Sequence, residues 1–384
     1  MKKRIQSSEV IILGAGASAN FRPASYPFDK TLIPFPMAED FFQRAIEYGV
    51  LKERNFLGQP MHRPLLDFIE KSFHLSFEGL KVNKLSIEKV YAELDKFIIQ
   101  IDESKNLSNK EVDLYLAKID LTKLIEELLG KLSRHYGGCE YHAILAGHVV
   151  ENESVVISFN WDTLIDGALY NTKRWFYETG YGIEFKRVYF NKEEILDEKK
   201  ESKGLLLKPH GSINWFRYQD LYWSDRDGFT GEPVSDEEAA GTYLFEFVRT
   251  KPPRTHPAHM RLYLGKDFKP PLKKPAEINI IPPIPPGQKS TLEERPAFKT
   301  IWNRTHLVIK NAKRIIAIGY ALKEPSIRLR FKKFRRESNK PLLLTLVNKC
   351  AIDPEFVKHY REIFNPDKID LFHSFEEFCN AIRL

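Results

Sequence analysis

At 384 residues, 42% hydrophobic and 29% charged, the chain can bury a large core as one enlarged domain or two, which excludes a disordered polymer. Three widely spaced cysteines, Cys139, Cys350 and Cys379, exclude a disulfide framework and point to a reducing cytoplasm. The net charge is +7; no apolar run reaches the ~20 residues of a membrane span, and the polar start from Met1 to Val10 leads us to expect no cleavable leader.

A short apolar strand, Val10 to Leu13, runs into Gly14-Ala15-Gly16-Ala17-Ser18-Ala19. Prolines at 23, 27, 34 and 36 then exclude regular structure. From about residue 38 to 150 the pattern is helical, most clearly over 87–101 and 121–132. Strand signals return at Val155 to Phe159, followed by Asn160-Trp161-Asp162 and a short helix from Thr163, and at Leu205 to Lys208, followed by Pro209-His210-Gly211-Ser212. Residues 217–286 are dense in aromatics and prolines and read as long ordered loops. Two βα units follow, with strands at 314–318 and 342–347, and a last strand near 369–372 precedes a helix at 375–382. Strands alternating with helices predict an α/β fold, Rossmann-like, with a mostly parallel doubly wound sheet and a helical insertion or cap. The expected partition is a core of residues 1–45 and 140–384, with the insertion at 46–139.

Gly14 to Ala19 fits G-x-G-x-x-[G/A] after a strand, where small residues let backbone approach a pyrophosphate. Small residues there also suit a plain turn. A dehydrogenase would show a second strand ending in an acid ~20 residues on. Prolines occupy that space, which disfavours hydride transfer. Asn160 and His210 stand at strand ends, where ligands of open α/β sheets bind. Asn160 suits a water or a ribose hydroxyl, and His210, with an ordinary pKa of ~6.5, suits a general base. The alternatives are that Asn160 satisfies loop backbone, Asp162 caps the helix from Thr163, and His210 is a turn residue. No G-x-S-x-G elbow and no Walker loop occurs. Cys139, His142 and His148 lack a complete ligand set, so no metal is expected. The basic run Arg328, Arg330, Lys332, Lys333, Arg335 and Arg336 reads first as a solvated helix face, with Ile327, Leu329, Phe331 and Phe334 apolar beside it; contact with nucleic acid is left open.

Together these motifs resemble those of the sirtuins. Gly14-Ala15-Gly16-Ala17-Ser18 is similar to the G-A-G-x-S loop. Ser158-Phe159-Asn160-Trp161-Asp162 resembles the S-F-N-x-D form found in bacterial sirtuin-like NADases. Pro209 to Trp215 resembles the H-G-S-[IL]-x-W signature of that branch. Gly319-Tyr320-Ala321-Leu322 stands where sirtuins have G-T-S-L, and Leu346-Val347-Asn348 resembles their strand ending in a ribose-contacting asparagine. The resemblance implies NAD as substrate, its pyrophosphate at Gly14, Ala15, Gly16, Ala17 and Ser18. It implies catalysis by Asn160, Asp162 and His210, and cofactor contacts from Ser212, Gly319, Tyr320 and Asn348. Arg22 is similar in position to the arginine of the sirtuin cofactor loop.

Deacylases of the family carry paired cysteines for zinc, whereas residues 217–286 contain none, so no zinc is expected. The implied activity is an NAD glycohydrolase giving nicotinamide and ADP-ribose or its cyclic form, a bacterial anti-phage effector. Implied with it are a homo-oligomer, a partner such as a hexameric ATPase or an Argonaute-type protein, and no membrane. The alternatives are an NAD-dependent deacylase or ADP-ribosyltransferase, and a non-catalytic module sensing NAD or ADP-ribose.

Overall fold

The apolar runs at 10–13, 155–158, 315–318 and 344–347 pair side by side because each is buried on both faces, the condition under which parallel strands persist. The computed structural model describes residues 8–19, 35–52, 62–101, 108–135, 139–183, 187–190, 193–194, 200–218, 243–246, 276–280 and 296–383. Its strands are β1 (Glu9–Leu13), β2 (Val155–Ser158), β3 (Arg187–Phe190), β4 (Glu193–Glu194), β5 (Leu205–Leu207), β6 (Gly211–Tyr218), β7 (Tyr243–Glu246), β8 (Ala276–Ile280), β9 (Arg314–Ile318), β10 (Leu343–Val347) and β11 (Lys368–Phe372). Its first helices are α1 (Ala15–Ala19), α2 (Phe41–Glu47), α3 (Arg63–Phe73), α4 (Phe77–Val82), α5 (Ile87–Ile98), α6 (Asn109–His135) and α7 (Glu140–Asn152). After them come α8 (Leu164–Asn171), α9 (Tyr177–Gly180), α10 (Pro296–Asn311), α11 (Pro325–Arg336), α12 (Pro354–Phe364) and α13 (Phe375–Ile382).

The main sheet has the order β11-β10-β9-β1-β2-β5, every pair parallel. From β1 the chain winds outward to β2 and β5, then returns to the other side of β1 for β9, β10 and β11. The direction therefore reverses at β1, and the carboxyl ends of the strands at such a switch point are where sheets of this kind bind ligands. The fold is the expected Rossmann-like α/β class.

Two apolar cores form. One packs the main sheet against α7 and α10 to α13, through residues such as Val149, Trp175, Phe298, Phe331 and Phe378. The other lies among α2, α3, α5 and α6 and includes Phe42, Leu65, Ile69, Leu94, Leu121 and Leu128. Leu164 and Ile213 also belong to it, and Trp161 packs against it. The helical layer thus rests on the segments that follow β2 and β5.

Residues 217–286 depart from the sequence reading, for β7 and β8 are strands where loops were expected. They join β6 in a second sheet of order β4-β3-β7-β6-β8, in which β6 pairs antiparallel with both. Runs of four or five residues between prolines carry too little periodicity to declare themselves, and β6 supplies the partner that makes them strands. Gly211 begins β6 with φ of 73°, a turn that sends the chain from one sheet into the other directly after His210.

The basic run forms α11, with Ile327 and Phe331 buried as expected. Leu329 differs, being 68% exposed. Much of the charge is engaged internally. Arg335 is buried and donates to the carbonyls of Ile309 and Ala312, both at 3.3 Å, and of Lys340 at 3.1 Å. The Arg330 guanidinium lies 4.4 Å from the Trp302 ring centroid, and Arg328 stands 3.4 Å from His359. Among the described residues no helix is long and apolar enough to cross a membrane.

Candidate active site at the carboxyl end of the sheet

The glycine loop is fixed by backbone. Gly14 N donates to Ile318 O at 3.0 Å and Gly16 N to Gly319 O at 2.9 Å, so the turn after β1 locks onto the turn after β9. A Cβ on Gly14 would lie 2.6 Å from Tyr320 Cα, and one on Gly16 2.8 Å from Gly319 Cα. Gly319 has φ of 60°, and a Cβ there would stand 2.1 Å from Ala17 N. Ala17 and Ser18 are buried, whereas Ala15 is exposed.

Asn160 spans this loop and the end of β2. Its Nδ2 donates to Gly14 O and to Ser18 Oγ, each at 3.0 Å. Ser18 Oγ in turn donates to Asp162 Oδ2 at 2.7 Å. The other oxygen, Asp162 Oδ1, accepts from Leu164 N at 3.0 Å, at the start of α8. Asn160 therefore does satisfy loop backbone and Asp162 does hold a helix start. Both also belong to one hydrogen-bonded chain running Gly14–Asn160–Ser18–Asp162.

His210 is buried and meets the edge of Phe159, ring centroids 5.0 Å apart. Phe159 stacks face to face on Tyr320 at 4.6 Å. Glu324 Oε2 lies 3.6 Å from His210 Nε2. Burial, and then the nearby Glu324 carboxylate, hold the Tyr320 phenol well above its ordinary pKa. Residues that follow β2, β5 and β9 thus meet around Phe159, whose ring contacts His210 and Tyr320 and which precedes Asn160 in the chain.

Beneath them lies a buried charge cluster that the sequence reading did not single out. Lys208 Nζ donates to Asp162 O at 2.7 Å, to Ser212 Oγ at 2.7 Å, and to both oxygens of Asp166, at 3.3 and 3.1 Å. Tyr181 donates its hydroxyl to Asp166 Oδ1, and Asn214 Nδ2 donates to Tyr181 Oη at 3.3 Å. Burial pushes the Asp166 carboxyl above its usual range against the opposing pull of Lys208. The available signal was a lysine closing the apolar run Leu205 to Leu207, because a buried ammonium demands a partner. Ser212 is held within this cluster.

Asn348 sits at the end of β10, two strands from β1, and its Oδ1 accepts from Cys350 N at 3.0 Å. Arg22 lies outside the described residues. So does most of 217–286, on which the zinc expectation falls; 217–218, 243–246 and 276–280 are its described parts. His142 is buried with its ring edge-on to Phe375, and His148 Nε2 pairs with Glu9 at 2.7 Å. Among the described residues no three His, Cys, Asp or Glu side chains are grouped to hold a metal ion.

No protein-family model matches the chain, and no curated protein matches it. Solved structures similar to it include a Sir2 homolog in complex with NAD, with a TM-score of 0.42, 11% identity, and coverage of 98% of this chain and 88% of that one. A mutant Sir2 homologue complex with 2'-O-acetyl ADP ribose has a TM-score of 0.40 and 10% identity, covering 98% of this chain and 93% of that one. A mutant Sir2 homologue complex with ADP ribose has a TM-score of 0.36 and 11% identity, with the same coverage. Likeness at this level says nothing of activity in this chain.

Proposed function

We propose that this chain hydrolyses the nicotinamide–ribose bond of NAD. The observation that carries this reading is the convergence of two polar groups across Phe159 at the point where the sheet reverses direction. One is the bonded chain Gly14–Asn160–Ser18–Asp162, the other is His210 with Glu324. The motif resemblance to sirtuin-like NADases supports it independently of the geometry.

In this reading the loop from Gly14 to Ser18 receives the pyrophosphate, and Asn160 and Asp162 face the nicotinamide ribose. The C1'–N bond breaks with its electron pair leaving on nicotinamide, and positive charge grows at the anomeric carbon. Carboxylate and amide oxygens placed beforehand around that carbon stabilise the charge at its maximum. Water adds to C1' and His210 takes the released proton, leaving ADP-ribose. Gly319, Tyr320, Asn348 and Arg22 would complete the cofactor contacts, whereas Ser212, fully buried and bonded to Lys208, would act only through that cluster. The biological setting we propose is a regulated cytoplasmic anti-phage effector, oligomeric and governed by a partner protein such as an ATPase or an Argonaute-type protein.

Release of nicotinamide from NAD without any peptide, by wild type beside Asn160→Ala and His210→Ala, tests the reading. Peptide-free release that falls on the order of 100-fold in each variant supports it. Release that requires an acylated peptide overturns it in favour of a deacylase, and tight NAD binding without turnover overturns it in favour of a sensing module.

A further inference from the structure

We infer that Glu324 is a positioning residue for His210, a carboxylate that holds the imidazole ring and stabilises its protonated form. Its part in catalysis rests on the NAD-cleavage reading above; the pairing itself does not.

Glu324 is the N-cap residue of α11, with φ of −78° and ψ of 116°, and Pro325 follows it in the first turn. Asp, Asn, Ser or Thr in that position ordinarily accepts from the helix's own free N–H groups. Glu324 makes no such cap. Its Oε1 accepts instead from Ser326 Oγ at 2.7 Å, and its Oε2 faces His210 Nε2 at 3.6 Å. A carboxylate held by a serine of its own helix's first turn, with its other oxygen facing a buried histidine, is placed for that histidine.

The surroundings strengthen the pair. Both side chains are largely buried, with 6% of His210 and 14% of Glu324 exposed, and Phe159 and Tyr320 wall the space with aromatic carbon. Opposite charges interact more strongly in such a setting than in water. Described titratable groups near His210 include Glu324 itself, Tyr320 beyond Phe159, and Lys208 with Asp162 on the side of β5 and β2. Tyr320 also senses Tyr360 and Glu88, and Lys323 lies 4.0 Å from Glu39. Glu324 is thus the described carboxylate in ion-pair range of the ring. In the reaction, the proton lost by water as its oxygen bonds to C1' resides on His210, beside the Glu324 carboxylate, before passing to solvent.

The test is an NMR titration of His210 in the full chain, its ring resonance assigned by its loss in His210→Gln. In Glu324→Gln the His210 pKa falls by about one unit relative to wild type. Glu324→Asp recovers part of the shift, and Ser326→Ala gives a smaller fall in the same direction. The acid limb of the kcat profile for NAD cleavage moves with the NMR value, while KM for NAD stays within about twofold. An unchanged His210 titration in a Glu324→Gln protein with native circular dichroism overturns the pairing. A shifted titration in a protein that never cleaves NAD leaves the pairing intact and removes the NAD-cleavage reading instead.

Discussion

Replacing Lys208 by methionine probes what joins the two halves of the site. The ammonium is fully buried and bonded to Asp162 O, Ser212 Oγ and the Asp166 carboxylate, so it ties the end of β2 to the start of β6. Methionine fills a similar volume, which keeps the packing term small. It leaves Asp166 buried with only polar neighbours such as Tyr181, and breaking a buried pair by removing one partner costs about 3–5 kcal/mol. At roughly 2 °C per kcal/mol for a large chain, Tm falls by about 6–10 °C. Acidification reduces the loss. The Asp166 carboxyl already titrates above its unfolded value through burial, and without Lys208 it rises further. A raised folded pKa means a contribution present below the unfolded pKa and lost as pH rises through the folded one. Lys208→Met is therefore further below wild type at pH 8 than at pH 5. The double variant Lys208→Met with Asp166→Leu regains most of the stability, because removing both charges leaves no unpaired ion. Thermal melts followed by circular dichroism at both pH values decide the matter. A single variant within about 1 kcal/mol of wild type, or a double variant less stable than the single one, refutes the reasoning.

Gly319→Ala forces a Cβ to within 2.1 Å of Ala17 N at φ of 60°, and strain plus overpacking lower stability by about 2–5 kcal/mol; a melt matching wild type would contradict this. In α6, burial raises the Asp120 carboxyl to about 6 from 3.8, so its favourable contribution is lost as pH rises through about 6. Asp120→Asn removes that loss and raises Tm more at pH 8 than at pH 5, and an equal gain at both would refute the assignment.

The strands of the main sheet were legible because burial on both faces writes itself as an unbroken apolar run, as in Val10 to Leu13 or Ile315 to Ile318. Asn160 and His210 stood out as candidates because they lie just past such runs. Lys208 and Asp166 were not, since the two partners lie 42 residues apart and each alone looks like an ordinary charge. Glu324 was hidden for a related reason. It reads as the residue before a helical proline, and only the path of the chain after β9 brings it to His210. Short-range pattern reports what a residue does to its own segment, and pairing across the sheet leaves no mark on it.

The glycine loop shows the opposite difficulty. Gly14 and Gly16 match a phosphate-binding pattern, yet contacts with Tyr320 and Gly319 already forbid a side chain at either position. A residue type that packing demands cannot also testify to a ligand, and loss of NAD binding in a Gly14→Ala protein would follow equally from a displaced loop. The weight for function falls instead on polar groups that packing alone has no use for. Folding would be served by an apolar residue in place of His210, wedged against Phe159, and by a conventional helix cap in place of a carboxylate aimed at His210. Burying polar groups costs stability unless they are paired, and His210 and Glu324 face each other at 3.6 Å. In the NAD-cleavage reading proposed above, taking up the proton lost by water is the role that would retain this pair.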